Sequence, residues 1–219
     1  MRTKALIIPL LATLLAVASI SNAYALTIRT VPYHYFNKTP WVPLSLEKNF
    51  TGAWTAYVYN YLTYNTTTKG VAILRLHSEN ASANADWMEL NFWYDGKLDI
   101  YYTDSNGNTG IIGSGTWTAG EAIVISVTAD GIIDIGNKTD KEAIVKNYGV
   151  GDLDLYWIGG STYPDYVDYC VTQGYINVEI SGYASTTDDI SGSVMVWIPL
   201  LVTFALLGTV LGMIKKFSR

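Results

Sequence analysis

Cysteine and histidine are scarce in this sequence. Among 219 residues there is one cysteine, Cys170, and there are two histidines, His34 and His77. One cysteine cannot form an intramolecular disulfide, which excludes the small secreted scaffolds that depend on several. Two histidines do not fill a typical zinc site, and neither has a serine or cysteine partner in a recognisable catalytic context. We expect Cys170 to be a small buried residue, with pairing between two chains as the alternative.

Positive charge is scarce outside the two ends of the chain. Residues 26–192 carry nine of the 14 Lys and Arg but all 19 Asp and Glu, which gives them a formal charge of −10. So acidic a surface repels the phosphates of DNA and RNA, and this excludes nucleic acid as a partner. It suits solubility, cation binding or a position beside charged surface polymers.

Charge is absent altogether from an apolar stretch near the N-terminus. A basic head precedes the uncharged residues 5–20, and the small-x-small sequence Ala23-Tyr24-Ala25 follows. This pattern is typical of a secretory signal, so we predict a signal peptide at residues 1–25 with cleavage after Ala25. The alternatives are an uncleaved membrane anchor and a pilin-type leader cut near Lys4.

A second uncharged stretch lies near the C-terminus. Residues 194–213 are long enough, at about 1.5 Å per residue, to span the roughly 30 Å hydrocarbon core of a bilayer. Lys215, Lys216 and Arg219 follow, and such a basic stop favours a cytoplasmic tail. We predict a flexible linker at 183–193, a transmembrane helix at 194–214 and a tail at 215–219.

These assignments leave residues 26–182 as an extracellular domain held on a lipid bilayer by one helix. Within that helix, Gly208 and Gly212 form a Gly-x-x-x-Gly pair. Such a pair allows two helices to approach closely, so it predicts a homodimer. We therefore place the protein on the cell surface or in a viral envelope, with its N-terminal domain outside.

Apolar and polar residues alternate through the middle of the chain. Met88, Leu90 and Phe92 share one face of a strand, with Glu89 and Asn91 on the other. Turn signals break the alternation at Asp95-Gly96, Asn106-Gly107 and Asp130-Gly131. This pattern predicts an antiparallel meander with one buried face. About ten short strands and almost no helix signal predict an all-β antiparallel sandwich, whereas the proline-bearing residues 26–46 are predicted to be irregular.

Strand and turn motifs follow one another in a fixed order between residues 54 and 180. They are a strand at Trp54, Ile73-Leu74-Arg75-Leu76, Glu89-Leu90-Asn91-Phe92, Asp95-Gly96-Lys97-Leu98, Gly115-x-Trp117-Thr118, Asp130-Gly131, the segment 155–160 and a closing strand. This order resembles the concanavalin-like jelly roll of laminin-G and legume-lectin type. The resemblance implies a lectin-like domain that binds carbohydrate or protein surfaces, often with calcium.

Five asparagines stand in Asn-x-Ser/Thr sequons. All lie in or beside predicted loops, where glycosylation takes place, so we predict a glycoprotein modified at some of these sites. The alternative is that they are ordinary turn asparagines. The five are Asn37, Asn49, Asn65, Asn80 and Asn137.

Two acidic groups are candidates for a cation. Asp104-Ser105-Asn106-Gly107-Asn108 spaces oxygen-bearing side chains as a calcium loop does, but the residue at its twelfth position is Gly115 in place of glutamate. A hairpin turn explains that segment equally well. The second group flanks an aromatic loop and is a candidate divalent-cation site, with solvated surface acids as the alternative. Its members are Asp152, Asp154, Asp165 and Asp168.

Tyrosine is abundant, with 17 in the chain. Aromatic faces stack on sugar rings, and tyrosine adds a hydroxyl. One cluster around a loop is the candidate ligand-binding set, and it consists of Tyr156, Tyr163, Tyr166 and Tyr169. Tyr57, Tyr59 and Tyr61 along one strand are a second cluster. The alternative for both is packing within a sandwich.

Motifs for catalysis are lacking. Glycosidases that resemble this fold carry a Glu-x-Asp-x-Glu strand, and no such spacing occurs here. We therefore predict that the chain is not an enzyme, and that it is a membrane-anchored surface glycoprotein whose lectin-like domain serves adhesion or recognition. The first alternative is a structural envelope or coat protein of an archaeal cell or virus that associates laterally with its own copies. The second is a glycan-cleaving enzyme.

Overall fold

The computed structural model describes residues 22–78, 86–138, 143–150 and 153–185. Within them, Tyr24–Ser185 forms a compact unit. Its strands are β1 (Asn22–Pro32), β2 (Val42–Asn60), β3 (Thr63–Tyr64), β4 (Val71–His77), β5 (Trp87–Trp93), β6 (Lys97–Thr103), β7 (Thr109–Thr116), β8 (Ala122–Val127), β9 (Ile132–Asn137), β10 (Ala143–Gly149), β11 (Leu155–Ser161), β12 (Val171–Gln173) and β13 (Tyr175–Ser185). Short 3-10 turns occupy Tyr33–Tyr35 and Pro164–Tyr166.

Most of the predicted signal peptide lies outside the described residues, and so does the whole predicted transmembrane helix with Gly208 and Gly212. In the part of the chain that the structure describes, no helix is long and apolar enough to span a membrane. Strand β1 begins at Asn22, before the predicted cleavage point, and β13 continues to Ser185, into the predicted linker.

One long strand, β2, connects the two layers of the sandwich. Its first part pairs with β11, and its second part, residues 54–60, lies between β8 and β13. Gly52 lies between the two parts with a φ of +67°, in the left-handed region that favours glycine. The eleven-stranded antiparallel sheet thus bends at β2 into two layers. The β5 layer runs β7-β6-β5-β4-β11-β2, and the β8 layer runs β10-β9-β8-β2-β13-β1.

The core lies between these layers and is formed by alternate residues of the strands. In β5 these are Met88, Leu90 and Phe92, each 0% exposed, as the alternation predicts. Their counterparts in neighbouring strands are Leu74, Leu76, Leu98, Ile100, Ile123, Ile125, Ile176, Val178 and Ile180. Burying each such side chain contributes about 1.5–3 kcal/mol. The predicted all-β sandwich is therefore confirmed.

The predicted hairpin turns are also present. Gly96, Gly107 and Gly131 have φ values of +86°, +82° and +74°, and each follows the Asp or Asn of its turn. The prediction that residues 26–46 are irregular is wrong, because β1 and the start of β2 lie there. Pro32 ends β1, and proline is tolerated at the end of an edge strand because no further ladder hydrogen bond is required of it.

Two edges of the folded sheet, β7 and β10, come together at glycine. A Cβ atom on Gly113 would clash with the backbone oxygen of Ile144 and would lie 2.6 Å from Cγ2 of Val145. At Gly115 it would lie 3.0 Å from Cγ1 of Ile144. Side chains at these positions would force the two edges apart.

We predict that Gly113→Ala lowers the free energy of unfolding by about 1–3 kcal/mol, the usual cost of overpacking. Urea denaturation measures the change. Gly110→Ala in the same strand is the matched control, because a Cβ atom there has no heavy atom within 4 Å. Equal stability of the two variants would show that β7 and β10 do not meet as described.

The single cysteine is buried, as the sequence predicts. Cys170 is 0% exposed, and its Sγ lies 2.8 Å from the carbonyl oxygen of Val71, to which the thiol donates. Burial raises the pKa of the Cys170 thiol to about 11. The reactive thiolate is therefore rare at neutral pH.

We predict that the native protein reacts with Ellman's reagent far more slowly than the urea-unfolded chain does, and that both release one thiol equivalent in the end. Absorbance of the released thiolate measures the two rates. A native rate close to the unfolded rate, or a disulfide-linked dimer on a non-reducing gel, would contradict the burial of Cys170.

Candidate functional site

The face of the β5 layer that points away from the core is polar and aromatic. We call it the β5 face. Some of its polar side chains are buried although no core lies on this side: Asn91 is 0% exposed, Asp99 2% and Glu89 8%. In β4 to β6 the residues of the face are Val71, Ile73, Arg75, His77, Trp87, Glu89, Asn91, Trp93, Lys97, Asp99 and Tyr101, of which Val71 and Ile73 are buried and apolar.

Arg75 and Glu89 form an ion pair on directly opposed positions of β4 and β5. Nη2 and Nε of Arg75 donate to Oε1 of Glu89 at 2.5 and 3.0 Å. The guanidinium carbon also lies 4.0 Å from the ring centroid of Trp41 and 3.9 Å from that of Trp87. Burial lowers the pKa of Arg75 and raises that of Glu89, while the ion pair opposes both shifts. Two indole rings thus hold a neutralised cation in a fixed position.

Asp99 is fixed by three donors. Its Oδ1 accepts from Oγ of Ser114 at 2.6 Å, and its Oδ2 accepts from Nε1 of Trp93 at 3.0 Å and from Nζ of Lys97 at 2.8 Å. Burial acts to raise the pKa of Asp99, but the hydrogen bonds from Lys97, Ser114 and Trp93 outweigh it and hold the pKa below its usual value. Asp99 therefore orients the indole of Trp93 on the face.

Asn91 lies between these two groups and has an unsatisfied acceptor. Its Nδ2 donates to the hydroxyl of Tyr163 at 3.0 Å, and the rings of Tyr163 and Trp93 are 6.1 Å apart. Oδ1 of Asn91 is buried and has no hydrogen-bond partner. Leaving a buried acceptor unsatisfied costs about 1–3 kcal/mol. A donor on a bound molecule would remove this cost once the side chains that cover Asn91 move aside to admit it.

The aromatic side chains extend across the face to β11. The rings of His77 and Trp157 stack with centroids 4.5 Å apart and an interplanar angle of 13°. Trp41, Trp87, Trp93 and Tyr163 contribute the other rings around Asn91 and Arg75. His77 and Trp157 are buried, so the rings within reach of a ligand are the half-buried Trp41, Trp87, Trp93 and Tyr163.

The structure brings only Tyr163 of the four predicted ligand-binding tyrosines to the β5 face. Tyr156 is half-buried on β11, and Tyr166 packs against the core. Tyr169 is 64% exposed, and its carbonyl accepts from Oγ1 of Thr68 at 2.9 Å. A ligand role for these three stays a prediction.

Sequence reasoning missed most of the β5 face. Glu89 and Asn91 were expected on a solvated face, whereas the structure buries them. The available signal was the tryptophan at each end of β5, Trp87 and Trp93, because two indoles on the polar face of one strand can cover the residues between them. Trp41 gave no such signal, since it precedes β2.

The predicted acidic groups are dispersed or bonded locally. Asp152 lies outside the described residues, Asp154 accepts from the backbone N–H of Gly52 at 3.2 Å, and Asp165 and Asp168 are exposed. Oδ1 of Asp104 accepts from the backbone N–H of Asn106 and of Asn108, each at 2.9 Å, as in an ordinary turn. Across the described ranges, no three His, Cys, Asp or Glu side chains meet in a way that would hold a metal ion.

The sequons occupy different environments. Asn37 is 9% exposed, and its side-chain amide forms two hydrogen bonds with the backbone of Val171. Asn137 is buried, Asn49 and Asn65 are half-buried, and Asn80 lies outside the described residues. Glycosylation at these five positions stays a prediction.

The second tyrosine cluster lies on the opposite side of the sandwich. Tyr59 and Tyr61 stack with centroids 6.4 Å apart on the outer face of the β8 layer, and Tyr175 of β13 is 5.1 Å from Tyr61. Nζ of Lys138 lies 5.2 Å from the ring of Tyr57. This cluster is therefore separate from the β5 face.

No family model and no curated protein matches the sequence. Among solved structures, the chain is similar to the carbohydrate-binding module CBM66 from Bacillus subtilis, with 6% identity, a TM-score of 0.38, and coverage of 75% of this chain and 95% of that one. It is also similar to an endo-β-galactosidase from Clostridium perfringens, with 9% identity, a TM-score of 0.45, and coverage of 75% of this chain and 54% of that one. A third similar structure is alginate lyase PA1167 from Pseudomonas aeruginosa, with 13% identity, a TM-score of 0.38, and coverage of 69% of this chain and 78% of that one.

The predicted resemblance to concanavalin-like jelly-roll sandwiches is confirmed, since the similar solved structures are of that class. The prediction that the chain is not an enzyme is wrong as an exclusion, because a galactosidase and a lyase are among these structures. The missing Glu-x-Asp-x-Glu strand therefore does not rule out catalysis.

We predict that Asp99→Asn lowers the free energy of unfolding by about 1–3 kcal/mol at neutral pH, since three hydrogen bonds to a carboxylate are weakened. A carboxyl whose pKa is lowered on folding contributes stability above its unfolded value, 3.8, and loses it as the pH falls through the folded-state pKa. The difference between variant and parent should therefore vanish in strong acid.

Urea unfolding of both proteins over a range of pH measures this difference. Asp165→Asn is the control, because Asp165 is exposed and its replacement should change stability little. A loss at Asp99 that persists unchanged in strong acid would contradict the role given to its ionised form.

Proposed function

We propose that the protein recognises carbohydrate through the β5 face. The observation that carries this proposal is the group of aromatic rings around Asn91, whose buried Oδ1 has no partner. We further propose that this domain is the outer part of a single-pass surface glycoprotein that serves adhesion or recognition on a cell or viral envelope. The membrane anchor and the glycans rest on the sequence alone.

The composition of the β5 face suits a sugar. A sugar ring presents an apolar C–H face to an aromatic side chain and hydroxyl groups along its edge. Trp93 and Tyr163 offer the ring faces, and their positions are fixed by Asp99 and Asn91. Side chains that are already fixed lose little conformational entropy on binding, which favours affinity.

A hydroxyl group of a ligand would also satisfy Asn91. Its Oδ1 can accept, while its Nδ2 and the hydroxyl of Tyr163 already bond to each other. A sugar hydroxyl that donates to Oδ1 removes the cost of the buried unsatisfied acceptor. The gain is specific, because an apolar ligand cannot provide it.

Lateral association with other copies is the second candidate, and one feature favours it. Within the described residues, β1 is an edge strand that pairs only with β13. Leu26 and Ile28 on β1 are 65% and 55% exposed. A long edge strand with exposed apolar residues is suited to pairing with another chain. Arg29, in an ion pair with Glu47, is a charge on the same strand that opposes such pairing.

A glycan array probed with the full-length protein in detergent micelles tests the leading proposal, and titration calorimetry on the array hits follows. We predict that Tyr163→Ala weakens binding about two- to tenfold, since loss of one aromatic stack costs about 0.5–1.5 kcal/mol. Tyr169→Ala is the matched comparison from the same loop region: recognition at the β5 face requires it to leave the affinity unchanged, whereas the predicted ligand role of Tyr169 requires it to weaken binding. Thermal unfolding checks that both variants are folded.

Two outcomes would overturn recognition at the β5 face. One is the absence of binding to any glycan on the array. The other is an equal effect of Tyr163→Ala and Tyr169→Ala, which would place the ligand elsewhere. Concentration-dependent assembly without glycan binding would favour the coat protein.

A further inference from the structure

The two cations of the β5 face are already neutralised. In strands β4 to β7 and β11 the only Lys and Arg residues are Arg75 and Lys97. Arg75 is paired with Glu89 at 2.5 Å and both side chains are largely buried, whereas Lys97, which is paired with Asp99 at 2.8 Å, has a side chain that is 55% exposed. The paired carboxylates lie on the same face as the cations. These strands therefore offer no unpaired positive charge to a ligand.

A sugar that carries a carboxylate or a sulfate would bind poorly to such a face. To reach Arg75 it would have to displace Glu89, whose side chain is 11% exposed, and the displaced carboxylate would stay buried without its partner. An unpaired buried charge is strongly unfavourable. Both sides of Arg75 are also covered by Trp41 and Trp87.

The unsatisfied group on this face requires a donor. Oδ1 of Asn91 is an acceptor, and the oxygens of carboxylate and sulfate groups are acceptors too, so they would repel it. A sugar hydroxyl donates. The formal charge of −10 on residues 26–192 also disfavours the approach of a polyanion.

We infer that the β5 face selects neutral, hydroxyl-rich glycans over their uronic-acid or sulfated counterparts. This inference rests on the proposed function, and it adds the class of sugar. Selection follows from the pairing of Arg75 and Lys97 with carboxylates of the same face, together with the buried Oδ1 of Asn91 that has no donor.

Matched pairs of oligosaccharides test the inference with the full-length protein. Each pair consists of a neutral hexose oligomer and the same oligomer oxidised at C6 to the uronic acid, so linkage, length and stereochemistry are equal. For the pair whose neutral member binds best, calorimetry should show at least tenfold tighter binding of that member. Its affinity should not change with ionic strength, because no charge pairs form across the interface.

Glu89→Gln is the diagnostic variant, since it removes the negative charge that neutralises Arg75. This variant should bind the uronate more tightly than the parent protein does, which narrows the difference in affinity between the neutral and acidic members. Added salt should reverse that gain in affinity. Asn91→Leu should weaken binding of the neutral member without strengthening binding of the uronate. Thermal unfolding reports whether each variant is folded. If Glu89→Gln does not fold, the comparison of neutral and acidic oligosaccharides on the parent protein decides the question alone.

The outcomes separate this inference from the proposal on which it rests. A uronate that binds the parent protein as tightly as its neutral partner overturns the inference and leaves carbohydrate recognition standing. Binding of no oligomer from any pair overturns both. Neutral preference together with a gain of uronate binding by Glu89→Gln supports both.

Discussion

The pairing of β2 with different partners along its length is the constraint on which the rest of the structure depends. Its first part hydrogen-bonds to β11 in one layer, and residues 54–60 hydrogen-bond to β8 and β13 in the other. The left-handed conformation of Gly52 lies between them. One strand therefore belongs to both layers, and it joins them in a chain whose single cysteine cannot form an intramolecular disulfide.

Closure of the core leaves the opposite side of β4, β5 and β6 to be covered by side chains and loops. Trp41 precedes β2 and Tyr163 follows β11, so the β2–β11 pairing also brings these two rings over the face. Under them, polar groups are buried and almost all are satisfied: Glu89 by Arg75, and Asp99 by three donors. Oδ1 of Asn91 is the exception, because it is a buried acceptor without a donor, and a ligand that binds it must supply a donor.

Periodicity predicted the parts of the fold that depend on local pattern. The alternation of Met88, Leu90 and Phe92 and the glycines of the Asp-Gly turns report conformations that a few consecutive residues determine. Strand β1 was missed because its pairing with β13 joins residues about 150 positions apart, which no local signal reports. The site was missed for the same reason. Arg75, Trp41 and Trp87 meet only after three separate segments are placed together, whereas the loop tyrosines were grouped by nearness in sequence.

The side chain of Asn37 links folding to the chemical form of the mature protein. Both of its amide atoms bond to Val171 at the start of β12, so the nitrogen to which a glycan attaches is occupied in the folded domain. An oligosaccharyltransferase can reach it only in a chain whose C-terminal third has not yet docked. In a cell that glycosylates, occupancy at this position would therefore record how the rate of sugar transfer compares with the rate at which the last strands are added.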